Sequence, residues 1–303
     1  YGTYSFKIHF CYLNKKTYNE LQMLQEITTK IKDPKSNLGV EISGLDLNQE
    51  LSDAEINSIR NSWLKNGVAI FPNQELTHDN YENFCLKFGA FGDDPYLAGL
   101  KDKPNIVEVK RLASEKAPPF GGTWHSDWSF QKNPPAATFL LSKIIPPVGG
   151  DTLFANTQKA YEELDSDLKE QIKDLKVVHS AKLPYADDGF YATEKEERAM
   201  DIITSKEAKK EEIHPLVKIH PETNQKCLFV NPVYTSHVHG MDEEESFLLL
   251  LKLYDHMTQD RFIYRHKWSE NMLLMWDNRT VMHMADGGYD GYDRLLHRIT
   301  IAN

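Results

Sequence analysis

The sequence predicts a mainly β protein, an antiparallel sandwich or jelly roll with helices packed outside it. From about Asn105 the chain breaks into short apolar runs of β type, "NIVEVKRL", "AATFLLSKI", "GGDTLFAN", "KCLFVN", "NMLLMWDN" and "RLLHRITIAN". Turn residues separate them at Pro146-Pro147, Gly149-Gly150 and Gly287-Gly288. No regular alternation of strand and helix announces a parallel sheet.

The elements upstream follow from local pattern. Tyr4, Phe6, Ile8, Phe10 and Tyr12 fall on one side of a period-two segment, which reads as a half-buried strand. A Lys-rich stretch follows, helical in part around Leu21–Ile27, and residues 1–37 read as an N-terminal extension to a main domain over 38–303. "VEISGLDL" is a strand and turn. Ser52 with Glu55 makes a capping box that starts a helix running to about Lys65. Gly67–Phe71 is a buried strand, and Thr77 opens a helix whose Tyr81, Phe84, Cys85 and Phe88 form a core stripe. Helical insertions are expected over 157–175 and 242–256. The charged run from Thr193 to Glu212 reads as a solvated helix or loop, placed where a lid would sit.

Composition narrows the function classes. With 303 residues, 40% of them hydrophobic, the chain can bury the core of one large domain. A net charge of -10 offers no basic face for phosphates and argues against nucleic acid as a partner. No run of apolar residues is long enough to span a bilayer, so the expectation is a soluble, intracellular protein acting on a small molecule. Its compartment and any removed targeting segment are left open, as is homo-oligomerisation. The three cysteines, Cys11, Cys85 and Cys227, form no CxxC pair and read as buried reduced thiols.

"GGTWHSDWSF" carries the chemistry. His125 and Asp127 are two apart, so on a β-strand they point to one face and can hold one ion. Two His and one carboxylate suit iron and leave coordination positions open. The second His is His283 in "WDNRTVMH", followed by Arg294 and Arg298 four apart on one strand face. An Arg there clamps a carboxylate in two-pronged fashion. His297 falls on the opposite face and reads as packing. Trp124 and Trp276 read as packing beside the ligands, and Lys110 and Arg111 as surface charge.

With "PPVGGDTLFANTQKAYEEL", "HPLVKIHPETNQKCLFVN" and "RLLHRITI", these motifs resemble the TauD/TfdA family of Fe(II)- and 2-oxoglutarate-dependent dioxygenases over roughly residues 38–303. The resemblance implies a double-stranded β-helix (jelly-roll) fold with Fe(II), 2-oxoglutarate and O2 as cofactor and cosubstrates. It implies His125, Asp127 and His283 as iron ligands. Thr152 and Arg298 would then hold the distal carboxylate of 2-oxoglutarate, with Arg294 near the carboxylate beside the keto group. Succinate and CO2 would be released as a substrate C–H bond is oxidised.

The substrate pocket departs from taurine dioxygenase. Asp94 in "DDPYLAG" stands where that enzyme has a sulfonate-binding His, and Gly121 replaces a polar Asn. Asp94 would repel a sulfonate and favour an amine, so an amine- or amino-acid-like substrate is expected rather than taurine. Tyr96, Trp128, Phe130, Tyr185 (beside Pro184) and Tyr234 are the other candidate substrate contacts. A second reading is desaturation or ring closure of an amino-acid-derived natural product, as in kainoid synthases. A third is a non-catalytic jelly-roll binding protein, which would leave the ligands and both arginines without a role. Asp127 disfavours a halogenase, whose halide site replaces that carboxylate with a small residue.

Overall fold

A computed structural model describes residues 27–303. The strand expected over 3–12 and Cys11 lie outside the described residues. The major sheet has eight strands, in the order β1 (Thr28–Asp33), β2 (Leu38–Ser43), β3 (Val68–Phe71), β14 (Leu273–Asp277), β6 (Ala137–Ile144), β16 (Arg294–Ile301), β5 (Lys103–Arg111) and β4 (Gly99–Leu100). Residues 28–33, grouped with the extension by sequence, pair with β2 along its length and form the edge of this sheet. Two three-stranded sheets follow, β13 (Ile263–His266), β7 (Thr152–Asn156), β15 (Val281–Ala285) and β12 (Thr235–Val238), β8 (Lys176–Ser180), β9 (Glu211–Pro215). A hairpin of β10 (Val217–Ile219) and β11 (Lys226–Leu228) stands apart. This is the jelly roll with outer helices that the sequence texture predicts.

The central strands are apolar on both faces because both faces are covered. On β6, Ala137, Phe139 and Leu141 pack under α1 (Asp53–Asn66) and α2 (His78–Leu86), against Ile59, Trp63, Tyr81 and Phe84. Leu140, between them in sequence, points into the sandwich with Leu274, Trp276, Leu296 and Phe154. The same parity sorts β16: Ile299 and Ile301 join the helix side, which leaves Arg294, Leu296, Arg298 and Thr300 on the inner face. Outside the smaller sheet, α3 (Thr157–Glu162), α4 (Ser166–Ile172) and α7 (Glu243–Met257) bury Ala160, Leu168, Ile172, Leu249 and Leu253.

Local signals set the ends. The Ser52 hydroxyl accepts from Glu55 N (3.3 Å) while the Glu55 carboxylate accepts from Ser52 N (2.7 Å), and α1 stops at Gly67, φ +65°. The insertion expected over 157–175 is two helices, because Asp165 breaks off the first and caps the second, accepting from Leu168 N (2.8 Å). The charged run from Thr193 is mostly loop, with a 3-10 turn at Lys206–Lys209 and a strand from Glu211. Two very short helices precede it, α5 (Lys182–Tyr185) and α6 (Phe190–Thr193). Cys85 and Cys227 are free and buried. No helix among the described residues is long and apolar enough to cross a membrane.

Phe139 has Phe88 and Phe84 rings at 5.6 and 6.1 Å. Phe139→Ala should therefore cost about 3–5 kcal/mol in chemical denaturation. Ser52→Ala, which removes one cap, should cost about 1 kcal/mol; equal costs would contradict the packing assigned to Phe139.

Candidate active site

His125 does not lie on a strand, contrary to the sequence expectation. It makes an isolated antiparallel bridge to His283 on β15, with paired backbone hydrogen bonds of 3.0 and 2.7 Å, and the chain then turns through residues 127–130. The bridge sets the two imidazoles 4.3 Å apart, and the turn rather than strand parity brings in Asp127. Asp127 Oδ1 lies 3.7 Å from His125 Nε2 and 3.8 Å from His283 Nε2. Donors about 2.1 Å from a shared ion stand no more than about 4 Å apart, and both separations meet that limit.

Protonation also suits a metal. Burial pushes His283 down to about 3 and lowers His125, so both imidazoles are neutral. Burial alone would raise Asp127, but Arg298 and the two histidines hold its carboxyl well below the usual range. His125 Nδ1 donates to the Thr123 carbonyl (2.7 Å), which leaves Nε2 as the free donor. The His283 ring is set by packing, 4.7 Å from the Trp276 ring and 6.0 Å from that of Phe154. Two neutral imidazoles and one carboxylate form the 2-His-1-carboxylate set that Fe(II) oxygenases use.

A chain of hydrogen bonds orients the carboxylate. Asp127 Oδ2 accepts from Thr138 (2.7 Å), Thr138 from Asn278 (2.8 Å), and Asn278 Oδ1 from Trp276 Nε1 (3.0 Å). Oδ1, the oxygen nearer the histidines, accepts from Arg298 Nη1 (2.9 Å). Sequence reading passed over Thr138 and Asn278, although a hydroxyl between apolar neighbours, as Thr138 is in "AATFLLSKI", is the kind of signal that marks such a residue.

The two arginines differ. Each of the three Arg298 nitrogens has a partner: Nη1 on Asp127, Nε and Nη2 on Thr300 (3.3 Å), with Asp94 also 3.3 Å from Nη2. Arg294, equally buried, makes one hydrogen bond among the described residues, to the Gly150 carbonyl (3.2 Å), and its Nε has no partner among them. Arg294 and Thr152 line a small cavity of about 50 Å³ together with His125, His283 and Arg298.

A larger cavity of about 580 Å³ opens over His125 and Asp127. Trp128, Tyr185 and Tyr234 line it, with Pro184, Tyr191 and Phe120. Gly121, φ +72°, also lines it; a Cβ there would come within 3.3 Å of the His125 ring. Asp94 does not reach the cavity. Its Oδ1 accepts from Trp128 Nε1 (2.6 Å) and Thr300 (3.1 Å) beside Arg298, so the amine contact expected from sequence is corrected: the carboxylate is consumed by protein cations and donors. Tyr96 and Phe130 stand behind the lining, 4.6 Å from the Tyr185 ring and 5.0 Å from that of Tyr234. Lys110 pairs with Glu108. Arg111 is buried rather than on the surface, bonded to Asp290 and to the carbonyls of Glu115 and Ala117. His297 is buried away from the ligands, 5.0 Å from the His78 ring.

A jelly roll with this donor set defines an iron oxygenase. Residues 30–300 match the family described as "Taurine catabolism dioxygenase TauD, TfdA family", and the chain belongs to it. An alkylsulfatase of Acinetobacter baylyi is 32% identical, over 91% of this chain and 88% of its own. The alpha-ketoglutarate-dependent 2,4-dichlorophenoxyacetate dioxygenase of a Burkholderia species is 30% identical, over 80% and 84%. A crystal structure of a taurine dioxygenase from Burkholderia xenovorans superposes with a TM-score of 0.75 at 30% identity, over 91% of each chain. The protein is an Fe(II)- and 2-oxoglutarate-dependent dioxygenase.

Thr138→Val removes the hydroxyl from Asp127 while keeping shape, and should weaken Fe(II) or Mn(II) binding about 10–100-fold by titration. An unchanged affinity would show that Thr138 does not orient the ligand. Behind the site, burial pushes His179, bonded to Ser129, down to about 3, and likewise His266. Below about pH 6.5 the unfolded chain binds protons that these folded histidines do not. Stability should fall as pH drops below 6.5, by about 1.4 kcal/mol per unit for each, a slope read from denaturant midpoints.

Proposed function

We propose that the enzyme oxidises a C–H bond of a small organic acid with an apolar or aromatic body, such as a sulfonate, sulfate ester or aryloxyalkanoate. The commitment of Asp94 to Arg298, Trp128 and Thr300 carries this reading. It leaves the cavity with two carboxylates, the candidate ligand Asp127 and Asp286, which pairs with Arg265, against the cations Arg198 and Arg298. The wall is otherwise largely apolar and aromatic, as a pocket for an organic body requires. The relatives are named for alkyl sulfate, dichlorophenoxyacetate and taurine chemistry, compounds that each bear an acidic group, which points in the same direction.

In this reading His125, Asp127 and His283 hold the iron. Thr152 and Arg294 take the distal carboxylate of 2-oxoglutarate, because Arg294 has no carboxylate partner among the described residues whereas Arg298 is flanked by Asp94 and Asp127. Arg298 instead holds Asp127 in its ionised form. This exchanges the arginine roles expected from sequence. When bound, the iron supplies the oxidising chemistry that couples 2-oxoglutarate decarboxylation to hydroxylation. The protein orients the substrate carbon over it, and the aromatic wall excludes water.

Anaerobic addition of Fe(II) and 2-oxoglutarate should give a visible charge-transfer band, lost in His125→Ala. Arg294→Met should raise the KM for 2-oxoglutarate about tenfold or more; an unchanged KM would return the distal carboxylate to Arg298. In a succinate-release screen, sulfonates, alkyl sulfates and aryloxyacetates should turn over where amines and amino acids do not. Turnover confined to amines would overturn the reading.

A further inference from the structure

Arg198 lies in the charged stretch that sequence reading treated as solvated, yet its side chain is only 8% exposed and it lines the large cavity. It stands there with Leu183, Tyr185, Phe190 and Tyr191, the wall that α5, α6 and the following loop build. Its guanidinium sits over the Tyr191 ring, 5.2 Å from the centroid, and Tyr191 in turn stacks on Phe120 at 5.9 Å. The chain is anchored just after Arg198: Ala199 N donates to the Glu115 carboxylate (3.0 Å) and Ile203 N to the Tyr96 carbonyl (2.9 Å).

A guanidinium offers two edges that each match a carboxylate or sulfonate. In Arg198 the Nε–Nη2 edge is taken by Glu194, with Nη2 at 2.7 Å. Nη1 has no partner among the described residues and is not sealed from solvent, so the second edge is free. Arg298, the other cavity cation, has all three nitrogens engaged and two carboxylates around it. An acidic group entering the cavity therefore meets an unpartnered Nη1 at Arg198, whereas at Arg298 it meets two carboxylates that repel it. Desolvation by the surrounding wall strengthens such a contact.

We propose that Arg198 receives the acidic group of the substrate, at the wall built by residues 183–198. The inference rests on the reading of the cavity as a site for organic acids. The reaction balances as R–H + 2-oxoglutarate + O2 giving R–OH, succinate and CO2.

The test uses phenylbutanesulfonate, phenylbutanoate and neutral phenylbutanol with the iron-loaded full chain. Succinate should form in step with an oxidised product from both acids. Arg198→Gln should raise the KM for both acids about ten- to a hundredfold, leave phenylbutanol unchanged, and keep the anaerobic 2-oxoglutarate band that reports an intact centre. Glu194→Gln, which frees the guanidinium, should leave the KM for the acids unchanged or lower. An unchanged KM for the acids in Arg198→Gln, or equal KM rises in the two variants, the mark of a wall held by the ion pair alone, would overturn the assignment. Succinate from amines but from no acid would overturn the cavity reading beneath it, and the assignment of Arg198 with it.

Discussion

The carboxylate of Asp127 is buried at 2% exposure, and the centre is organised around compensating it. An isolated ionised carboxylate in such a place is prohibitively costly. Arg298 from β16 supplies the opposite charge, Thr138 from β6 a neutral donor, and the bridge from β15 the neighbouring imidazoles. Both sheets of the sandwich therefore converge on one side chain. Removing the arginine alone would leave a buried charge unmet, so the pair is a constraint on the fold as much as a part of the site.

That same compensation divides the work between the arginines. They lie on one face of β16 and look equivalent by parity. Asp94 and Asp127 draw on Arg298 from two directions, while Arg294 keeps its charge unpaired beside Thr152. Asp94 thus acts inward, on Arg298 and on the indole of Trp128. Trp128 holds a left-handed backbone, φ +44°, uncommon for so bulky a residue and kept here by the Asp94 bond and its packing. The pocket base is consequently built by protein–protein contacts, and the outer wall is left to distinguish substrates.

Much of this was legible in the residues. The capping box at Ser52, the stripe at Tyr81, Phe84, Cys85 and Phe88, and the strand runs from Asn105 are local patterns, written in neighbouring side chains. So was the metal set, because His125, Asp127 and His283 come in motifs whose order a known family shares. Parity on β16 correctly put Arg294 and Arg298 together and His297 away from them. The failures were of another kind. Arg111 and Arg198 looked like surface charge because burial is a property of what folds over a residue, and Asp94 looked free because its partners lie at 128, 298 and 300.

The sequence by itself therefore determined the jelly roll, the iron chemistry and the candidate ligand set, since periodicity and motif order act over short range or through a family pattern. Only the tertiary structure decided that a bridge and a turn, not a strand, aim His125 and Asp127. It also decided which arginine carries free charge and that Asp94 is unavailable to substrate. Those outcomes depend on which charges meet across the closed sandwich, and ion pairs between residues some 170 to 200 positions apart leave no local trace in the chain.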